Sequence, residues 1–374
     1  MKALVVAGAR PNFMKVAPIL DQLECTGATR VFVHTGQHYD ASMSDAFLRD
    51  LSLPEPDFHL GVGSGSHARQ TARVMEAFEP VLTETRPDWV VVVGDVNSTL
   101  ACALVASKLR ATLGCRIAHV EAGLRSNDWT MPEEVNRVLT DRLSDLLLTP
   151  SPDALPNLLR EGIAPERITF AGNVMIDSLM KLLPRARALD VPGKLGLTTG
   201  RFVLATLHRP SNVDDAARLR EILDGLAIIA RESPVVMPLH PRTRERIREF
   251  GYDDLIRGLH ILDPLGYCEM LGTLDACEVT ITDSGGVQEE STVLGVPCAT
   301  LRASTERPIT ITEGTNRLAE WPLTAARVVA AYNSAREAGR CAVGERAPNG
   351  WDGHAAVRIV SAMESAPPFD ANVP

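Results

Sequence analysis

Short apolar runs alternate along the chain with longer segments in which apolar residues recur at helical spacing. In the first half the runs at 2–7, 30–34, 89–93, 116–120, 146–149 and 168–170 predict strands. The segments at 13–24, 66–85, 98–113 and from 131 onward predict helices. The run at 89–93 is continuously apolar, as expected of a parallel strand buried on both faces. Regular alternation of strand and helix indicates a doubly wound parallel sheet.

The same alternation restarts after a linker-like segment at 190–193. Strands are predicted at 202–206, 235–239, 259–262, 279–282 and 298–301, with helices at 216–231, 242–250 and 267–274 between them. We therefore predict an α/β protein with two Rossmann-like α/β/α domains, at residues 1–175 and 176–354. A further helical segment occupies 355–374.

Composition narrows the class of protein. The chain has 374 residues, of which 45% are apolar and 23% charged, and its net charge is −9. Such a length suits two domains, and an acidic balance argues against nucleic acid or an anionic membrane as the main partner. The seven cysteines have no Cys-x-x-Cys spacing, and no apolar run is long enough for a signal peptide or a membrane span. We expect a soluble cytoplasmic protein with reduced thiols and no metal site.

The stretch at 279–294 combines a strand, a glycine turn and a short helix. Ser284 is a suitable N-cap, and Gly285 and Gly286 let backbone N–H groups approach an anion at the positive end of the helix dipole. Glu290 lies one helical turn after Gly286, where a carboxylate can accept hydrogen bonds from a ribose diol. The alternative is an ordinary turn followed by a solvated glutamate, and this stretch alone leaves both interpretations open.

Polar side chains collect at the predicted carboxyl ends of the strands, which is where open parallel sheets bind ligands. The strand ends of the first half carry acidic and basic side chains. The strand ends of the second half carry histidines and the glycine turn that suits an anion. The residues are Arg10, Lys15, Asp95, Glu121 and Glu133, followed by His208, Arg209, His240 and the turn from Ser284 to Glu290.

Most of these residues also have a structural explanation. Asp95 and Asp283 each follow a strand, as N-cap residues do, and Glu133 suits the first turn of a helix. His208 and His240 are also typical of buried, hydrogen-bonded histidines. Arg10 and Lys15 could equally be surface charges, whereas a buried Glu121 would need a partner.

The motifs, taken in order, resemble the non-hydrolysing UDP-N-acetylglucosamine 2-epimerase family. The matching pieces are GARPNFMKVAPIL, TGQHYD, VVVGDVNSTLA, HVEAGLRS, MPEEVNRVLTD, GNVMIDSL, LHRPSNVD, LHPRTR, TDSGGVQEE, LRASTERP and EGTNRL. The resemblance implies the glycosyltransferase-B architecture, with two Rossmann-like domains facing across a cleft and the last helix returning to the first domain. It also implies a homodimer, a UDP-sugar substrate and no cofactor.

The resemblance also assigns expected roles to individual positions. Asp95, Glu121, Glu133 and His208 match catalytic positions. Arg10, Lys15, Ser284, Gly285, Gly286, Glu290 and Arg307 match positions that bind the UDP-sugar. Arg69, Gln70, Arg209 and His240 lie in motifs that suggest a second, regulatory sugar-nucleotide site.

The implied reaction explains the number of acids. The hydrogen on C2 of a sugar nucleotide is not acidic, so the family eliminates UDP to give a 2-acetamidoglucal and then adds UDP back with the opposite configuration at C2. This route needs a base, an acid and groups that retain the leaving diphosphate. The expected product of UDP-N-acetylglucosamine is UDP-N-acetylmannosamine. Alternatives are a 2-epimerase of a related UDP-2-acetamido sugar such as a diacetamido uronic acid, a glycosyltransferase of the same fold, a hydrolysing epimerase and a catalytically inactive UDP-sugar sensor.

Several motifs depart from the common family pattern. The first turn reads Gly-Ala-Arg-Pro-Asn, the loop around Asp95 reads Gly-Asp-Val-Asn-Ser, and Pro-Ser-Asn follows Arg209. These changes keep the acids but alter the surroundings expected for the sugar.

Overall fold

A computed structural model describes residues 1–36, 51 and 53–367. The chain forms two compact units, one made of Met1–Lys181 together with Asn349–Pro374 and the other of Leu182–Pro348. We call them unit 1 and unit 2. Both are parallel sheets with flanking helices, which confirms the predicted α/β class. The predicted division into a catalytic and a UDP-binding domain is a statement about function and stays a prediction.

Unit 1 is built on a seven-stranded parallel sheet with the order β3-β2-β1-β4-β5-β6-β7. The six strands predicted from apolar runs are all present. The two-residue strand β3 was not predicted because Phe58-His59 has no periodic pattern; it pairs with β2 through Val33 and His34. The strands are β1 Lys2–Ala7, β2 Thr29–His34, β3 Phe58–His59, β4 Trp89–Val93, β5 Arg116–Val120, β6 Leu146–Thr149 and β7 Ile168–Phe170.

Helices flank this sheet, and alternate strand residues pack against them. Val90 and Val92 belong to one buried cluster with Phe78 of the long second helix, as the two-residue period of a strand requires. The helices are α1 Arg10–Cys25, α2 His67–Thr85, α3 Asn97–Leu113, α4 Pro132–Leu143, α5 Leu155–Arg160 and α6 Val174–Ala188, with short 3₁₀ turns at Pro152–Ala154 and Pro165–Arg167.

The last helix, which we number α15 and which spans Ala355–Ser365, belongs to unit 1 and packs against α1. The carboxylate of Asp177 accepts hydrogen bonds from the backbone N–H groups of Ala355 and Ala356, at 3.1 and 2.8 Å. At its other end the indole N–H of Trp89, on β4, donates to the carbonyl of Met363 at 3.2 Å. Helix α15 is therefore part of the core of unit 1, together with α1 and β4.

Unit 2 contains a six-stranded parallel sheet with the order β10-β9-β8-β11-β12-β13. The five predicted strands are present, and the three-residue β13, which lacks an apolar run, was not predicted. The strands are β8 Val203–Thr206, β9 Val235–Pro238, β10 His260–Leu262, β11 Val279–Thr282, β12 Cys298–Thr300 and β13 Asn316–Leu318.

The helices of unit 2 cover the sheet and bury a core that includes Val203, Ile281, Leu223 and Tyr332. Three of them are single turns of four residues. The helices are α7 Val191–Lys194, α8 Pro210–Val213, α9 Ala216–Ile229, α10 Pro241–Glu249, α11 Tyr267–Ala276, α12 Gly285–Leu294, α13 Ile309–Thr312 and α14 Ala325–Ala338, with a 3₁₀ turn at Asp253–Ile256.

Two features singled out from the sequence fall partly outside the described residues. The motif TGQHYD at 35–40 is described only for Thr35 and Gly36, and the side chain of Arg10 is not described, although Arg10 is the first residue of α1. In the part of the chain that is described, no helix is both long and apolar enough to cross a membrane. The seven cysteines, each of them described, are free thiols.

Candidate active site

Glu121 follows directly after β5 in unit 1 and pairs with Lys15 of α1. Both residues are 8% exposed, so the ion pair is buried and the predicted need of Glu121 for a partner is met. The backbone of Glu121 has φ 72°, in the left-handed region that non-glycine residues rarely adopt. A Cβ on Gly94 would lie 3.2 Å from Lys15 Nζ and 3.3 Å from Glu121 Oε2, so glycine leaves room for the pair.

Asp95 lies after β4 and forms an ion pair with Arg137 of α4. Its Oδ2 accepts hydrogen bonds from Arg137 Nε at 3.0 Å and Nη2 at 2.8 Å, and its backbone carbonyl accepts one from Asn136 Nδ2 at 2.8 Å. The N-cap position of α3 is occupied by Val96. The explanation of Asp95 as a simple helix cap is therefore wrong.

Glu133 is half-buried in the first turn of α4, as its sequence position indicated. Together with Asp95 it lines a cavity of about 210 Å³ in unit 1. Gln70, predicted for a second site, is buried in the lining of this cavity, whereas its neighbour Arg69 is exposed on α2. The polar lining includes His67, Gln70, Asp95, Asn97, Glu133 and Asn136.

A buried network of hydrogen-bonded, ionisable side chains lies at the ends of β4 and β5, the strands that precede Asp95 and Glu121. His119, on β5, contacts Asp141 Oδ1 through Nδ1 at 2.6 Å and the carbonyl of Gly94 through Nε2 at 2.8 Å. Arg125 Nη2 donates to Asp141 Oδ2 at 2.7 Å. Burial alone would raise the pKa of Asp141, but the hydrogen bonds and charges of His119 and Arg125 outweigh it and lower that pKa. The network fixes the loop at Gly94 to the strand that carries Glu121.

In unit 2 the turn after β11 has the predicted strand-turn-helix geometry. Ser284 is the N-cap of α12, its hydroxyl accepting from Val287 N, and the helix ends at Gly295 with φ 68°. Gly285 and Gly286 are its first two residues. The predicted N-cap and helix bounds are confirmed.

Next to this turn, three arginines lie around a buried carboxylate, Glu306. Glu306 Oε1 lies 3.1 Å from both Arg209 Nη2 and Arg307 Nη1, and Glu306 Oε2 lies 2.6 Å from Arg302 Nη2. Burial raises the pKa of Glu306, but the nearby arginines, Arg307 first, bring it well below its usual range. A Cβ on Gly285 would lie 3.2 Å from Arg307 Nη1 and 3.3 Å from Glu306 Oε1, so this cluster of arginines and carboxylate lies directly against the turn.

Asp283 organises the histidine segment after β8 and is not the helix cap that the sequence also allowed. It is fully buried and accepts hydrogen bonds from the backbone N–H groups of His208 and Arg209, both at 3.1 Å, and from Asn212 Nδ2 at 3.1 Å. Its Oδ1 also lies 3.0 Å from His208 Nδ1. Burial raises the pKa of Asp283, but these partners, His208 foremost, outweigh it and lower the pKa.

The two histidines predicted at strand ends are neighbours. The ring of His208 lies 5.7 Å from that of His240, centroid to centroid. His240 is also the N-cap of α10, its Nδ1 accepting from Arg242 N at 3.2 Å. His208 is 39% exposed at the side chain, so it is not a core histidine.

Glu290 lies on α12 and is buried against α11. The hydroxyl of Tyr267 donates to Glu290 Oε1 at 3.0 Å. Burial raises the pKa of Glu290 to about 8; the hydrogen bond from Tyr267 opposes this rise and the charge of Glu289 adds to it. The alternative of a solvated glutamate is wrong, and a carboxyl that is protonated near neutral pH can donate as well as accept a hydrogen bond.

The structure brings together predicted residues within each unit and adds partners that sequence reasoning missed. Lys15, Asp95, Glu121, Glu133 and Gln70 lie in unit 1, while Arg209, His208, His240, Ser284, Gly285, Gly286, Glu290 and Arg307 lie in unit 2. The missed residues are Glu134, Asn136, Arg137, Arg302 and Glu306. The signal for Asn136 and Arg137 was helical spacing, since they lie three and four positions after Glu133.

Comparisons with known proteins agree on one family. A family model described as UDP-N-acetylglucosamine 2-epimerase matches residues 22–364. The UDP-N-acetylglucosamine 2-epimerase of Methanocaldococcus jannaschii is 42% identical over 326 residues, 85% of this chain and 88% of that protein. The UDP-2,3-diacetamido-2,3-dideoxy-D-glucuronate 2-epimerase of Pseudomonas aeruginosa is 44% identical over 322 residues, 85% of this chain and 88% of that protein.

A solved structure gives the same answer for the fold. The crystal structure of the M. jannaschii UDP-GlcNAc 2-epimerase in complex with UDP-GlcNAc and UDP has a TM-score of 0.86 to this chain and 40% identity. It covers 96% of this chain and 99% of its own. Since the family model spans most of the chain and the relatives match in sequence and fold, the chain belongs to the UDP-N-acetylglucosamine 2-epimerase family.

Proposed function

We propose that the chain catalyses the reversible C2 epimerisation of UDP-N-acetylglucosamine to UDP-N-acetylmannosamine. The observation that carries this proposal is the set of three carboxylates in unit 1. Asp95 and Glu121 follow neighbouring parallel strands, and Glu133 shares a cavity with Asp95. Family membership supports the reaction type, and the geometry supports these three side chains as its acids and bases.

Unit 2 supplies the binding site proposed for UDP. The first N–H groups of α12 and the partial positive charge of its dipole suit a phosphate. Arg209, Arg302 and Arg307 lie beside the turn, where they pair with Glu289 and Glu306. We assign the ribose hydroxyls to Glu290.

The proposed chemistry is elimination followed by re-addition. A base removes the C2 proton while the bond between C1 and the diphosphate oxygen breaks, which gives 2-acetamidoglucal and UDP. An acid then delivers a proton to the other face of C2 while UDP re-forms the bond at C1. Asp95, Glu121 and Glu133 are the groups proposed to move the protons, and the arginines with His208 retain UDP between the two steps.

Incubation of the protein with UDP-N-acetylglucosamine in heavy water tests this function. We expect proton NMR to show loss of the C2 proton signal in both sugar nucleotides, with conversion between them and without accumulation of UDP. Sugar nucleotides that reach equilibrium while keeping a C2 proton would exclude the mechanism. Stoichiometric release of UDP would instead indicate a hydrolysing enzyme.

A second candidate substrate is a UDP-2,3-diacetamido uronic acid, because the P. aeruginosa relative that is named for such a sugar is 44% identical. The lining of the unit 1 cavity holds two carboxylates and, among the described residues, neither lysine nor arginine. A uronate would meet repulsion from Glu133 there, because of the two carboxylates only Asp95 is paired with an arginine in the part of the chain that is described, and this favours the uncharged sugar. Comparison of kcat/KM for the two substrates decides between them.

We also propose that the protein acts in the reducing cytoplasm. Free thiols support a reducing compartment.

We propose in addition that the protein is a homodimer. Leu155 and Leu159, one helical turn apart on α5, are 40% and 44% exposed and support an apolar contact between copies. Light scattering during gel filtration measures the mass, and a monomer at micromolar concentration would exclude the dimer.

A further inference from the structure

We propose that Arg137, held by Glu134, is a positioning residue that fixes the Asp95 carboxylate relative to Glu133. This inference rests on the proposed epimerase function, because it assigns a role for these side chains in that reaction. It concerns contacts within unit 1, between the loop after β4 and the helix α4.

Arg137 is committed to two carboxylates at once. Its side chain is 5% exposed, Nε and Nη2 contact Asp95 Oδ2 at 3.0 and 2.8 Å, and Nη1 contacts Glu134 Oε2 at 2.5 Å. The planar guanidinium fixes the direction of each bond, which a single ammonium does not. The position of the Asp95 carboxylate is therefore set by the position of α4.

Glu134 in turn ties the start of α4 to the loop that precedes it. It is 1% exposed, Oε2 accepts from Ser126 N and Oγ at 3.0 Å, and Oε1 accepts from Asn127 N at 2.8 Å. Glu133 is the adjacent residue on the same first turn. Loop, helix start and Asp95 thus form one hydrogen-bonded frame.

The frame has a chemical use because proton transfer is sensitive to distance. Asp95 and Glu133 line the same cavity, yet among the described residues neither bonds to the other. A displacement of about 1 Å at a reacting group can lower a rate by about 100-fold. Arg137 holds the carboxylate of Asp95, and Glu133 lies on the same helix as Arg137. The distance between the two carboxylates therefore stays constant.

The test is a double-mutant cycle on kcat, measured by the heavy-water assay. We expect Arg137→Met to lower kcat by about 100-fold with little change in KM, and Arg137→Lys to recover part of this loss. In an Asp95→Asn background, Arg137→Met should cost only a few-fold more, because a residue that acts through Asp95 has nothing left to position. Arg142→Met, on the exposed side of α4, is the matched control and should leave kcat unchanged.

Losses that multiply in the double variant would overturn the proposal, since they would show that Arg137 acts independently of Asp95. A lysine variant that folds with wild-type kcat would overturn it as well, and this variant decides the matter if Arg137→Met does not fold. Failure of the wild-type protein to exchange the C2 proton would refute the proposed function instead, so the two failures are distinct.

Discussion

At the scale of the residue, Glu121 combines a strained backbone with a buried charge. Its φ of 72° lies in a region that costs a non-glycine side chain about 1–3 kcal/mol, and its carboxylate is buried. The ion pair with Lys15 offsets the burial but not the backbone strain. Such strain clusters at functional sites, and this supports a role for Glu121 in the chemistry.

Replacement of Glu121 should separate stability from activity. Glu121→Gln leaves the Lys15 ammonium buried without its carboxylate, so we expect a loss of about 3–5 kcal/mol in the free energy of unfolding. The double variant Lys15→Met with Glu121→Gln removes both charges and should recover most of that loss, but not the epimerase activity. Urea denaturation and the heavy-water assay measure the two quantities. A Glu121→Gln protein as stable as the wild type would show that the pair is not coupled as described.

Individual site residues were predictable from the sequence where a motif placed them at a strand end. Their partners were less so. Lys15 and Glu121 were both expected in the site but not as a pair, because 106 positions separate them. Arg302 and Glu306 were not predicted, because their role depends on three arginines that come together only in the folded chain.

At the scale of the element, the contact between α11 and α12 sets the protonation of Glu290. Burial between these helices raises its pKa from 4.5 to about 8. The folded protein therefore keeps a proton that the unfolded chain releases, so between about pH 4.5 and 8 the folded state binds more protons. The stability that this group contributes is complete below about pH 4.5 and is lost as the pH rises through about 8.

The variant Glu290→Gln should remove this pH dependence. Its melting temperature should fall less than that of the wild type between about pH 5 and about pH 9, because glutamine does not titrate. Glu313→Gln, at an exposed glutamate after α13, serves as the control and should follow the wild type. Differential scanning fluorimetry across the range measures the effect, and equal slopes for the wild type and Glu290→Gln would contradict it.

Elements themselves were largely predictable, since long parallel strands and amphipathic helices leave a strong periodic signal. The turn from Asp283 to Leu294 was predicted together with its cap and its end. Two strands, Phe58–His59 and Asn316–Leu318, were not, because neither contains an apolar run, unlike the equally short edge strands Ile168–Phe170 and His260–Leu262. Tertiary pairing alone defines them.

At the scale of the whole molecule, unit 1 is made from both ends of the chain. Helix α15 covers α1 and the indole of Trp89, and Met363 within it is fully buried. The sequence predicted the helix, and only the resemblance implied where it packs, because periodicity shows that a face is apolar but not what it covers.

A matched pair of substitutions on α15 tests how much the packing of this helix contributes to the free energy of unfolding. Met363→Ala should lower the free energy of unfolding by about 2–5 kcal/mol, because it opens a cavity in the core. Val357→Ala, at a side chain that is 47% exposed, should change it by less than about 0.5 kcal/mol. Chemical denaturation followed by tryptophan fluorescence compares them, and similar values for the two variants would show that the helix is not part of the core.

The return of the chain to unit 1 also sets an order of events during synthesis. Residues 182–348 leave the ribosome as a continuous unit, whereas unit 1 lacks its last helix until residues 349–367 have been made. Unit 2 therefore needs no residue made after position 348 in order to fold, whereas unit 1 does, although it begins the chain. Until then the apolar surface around Trp89 that α15 covers is exposed, and we expect chaperones to bind the nascent chain there.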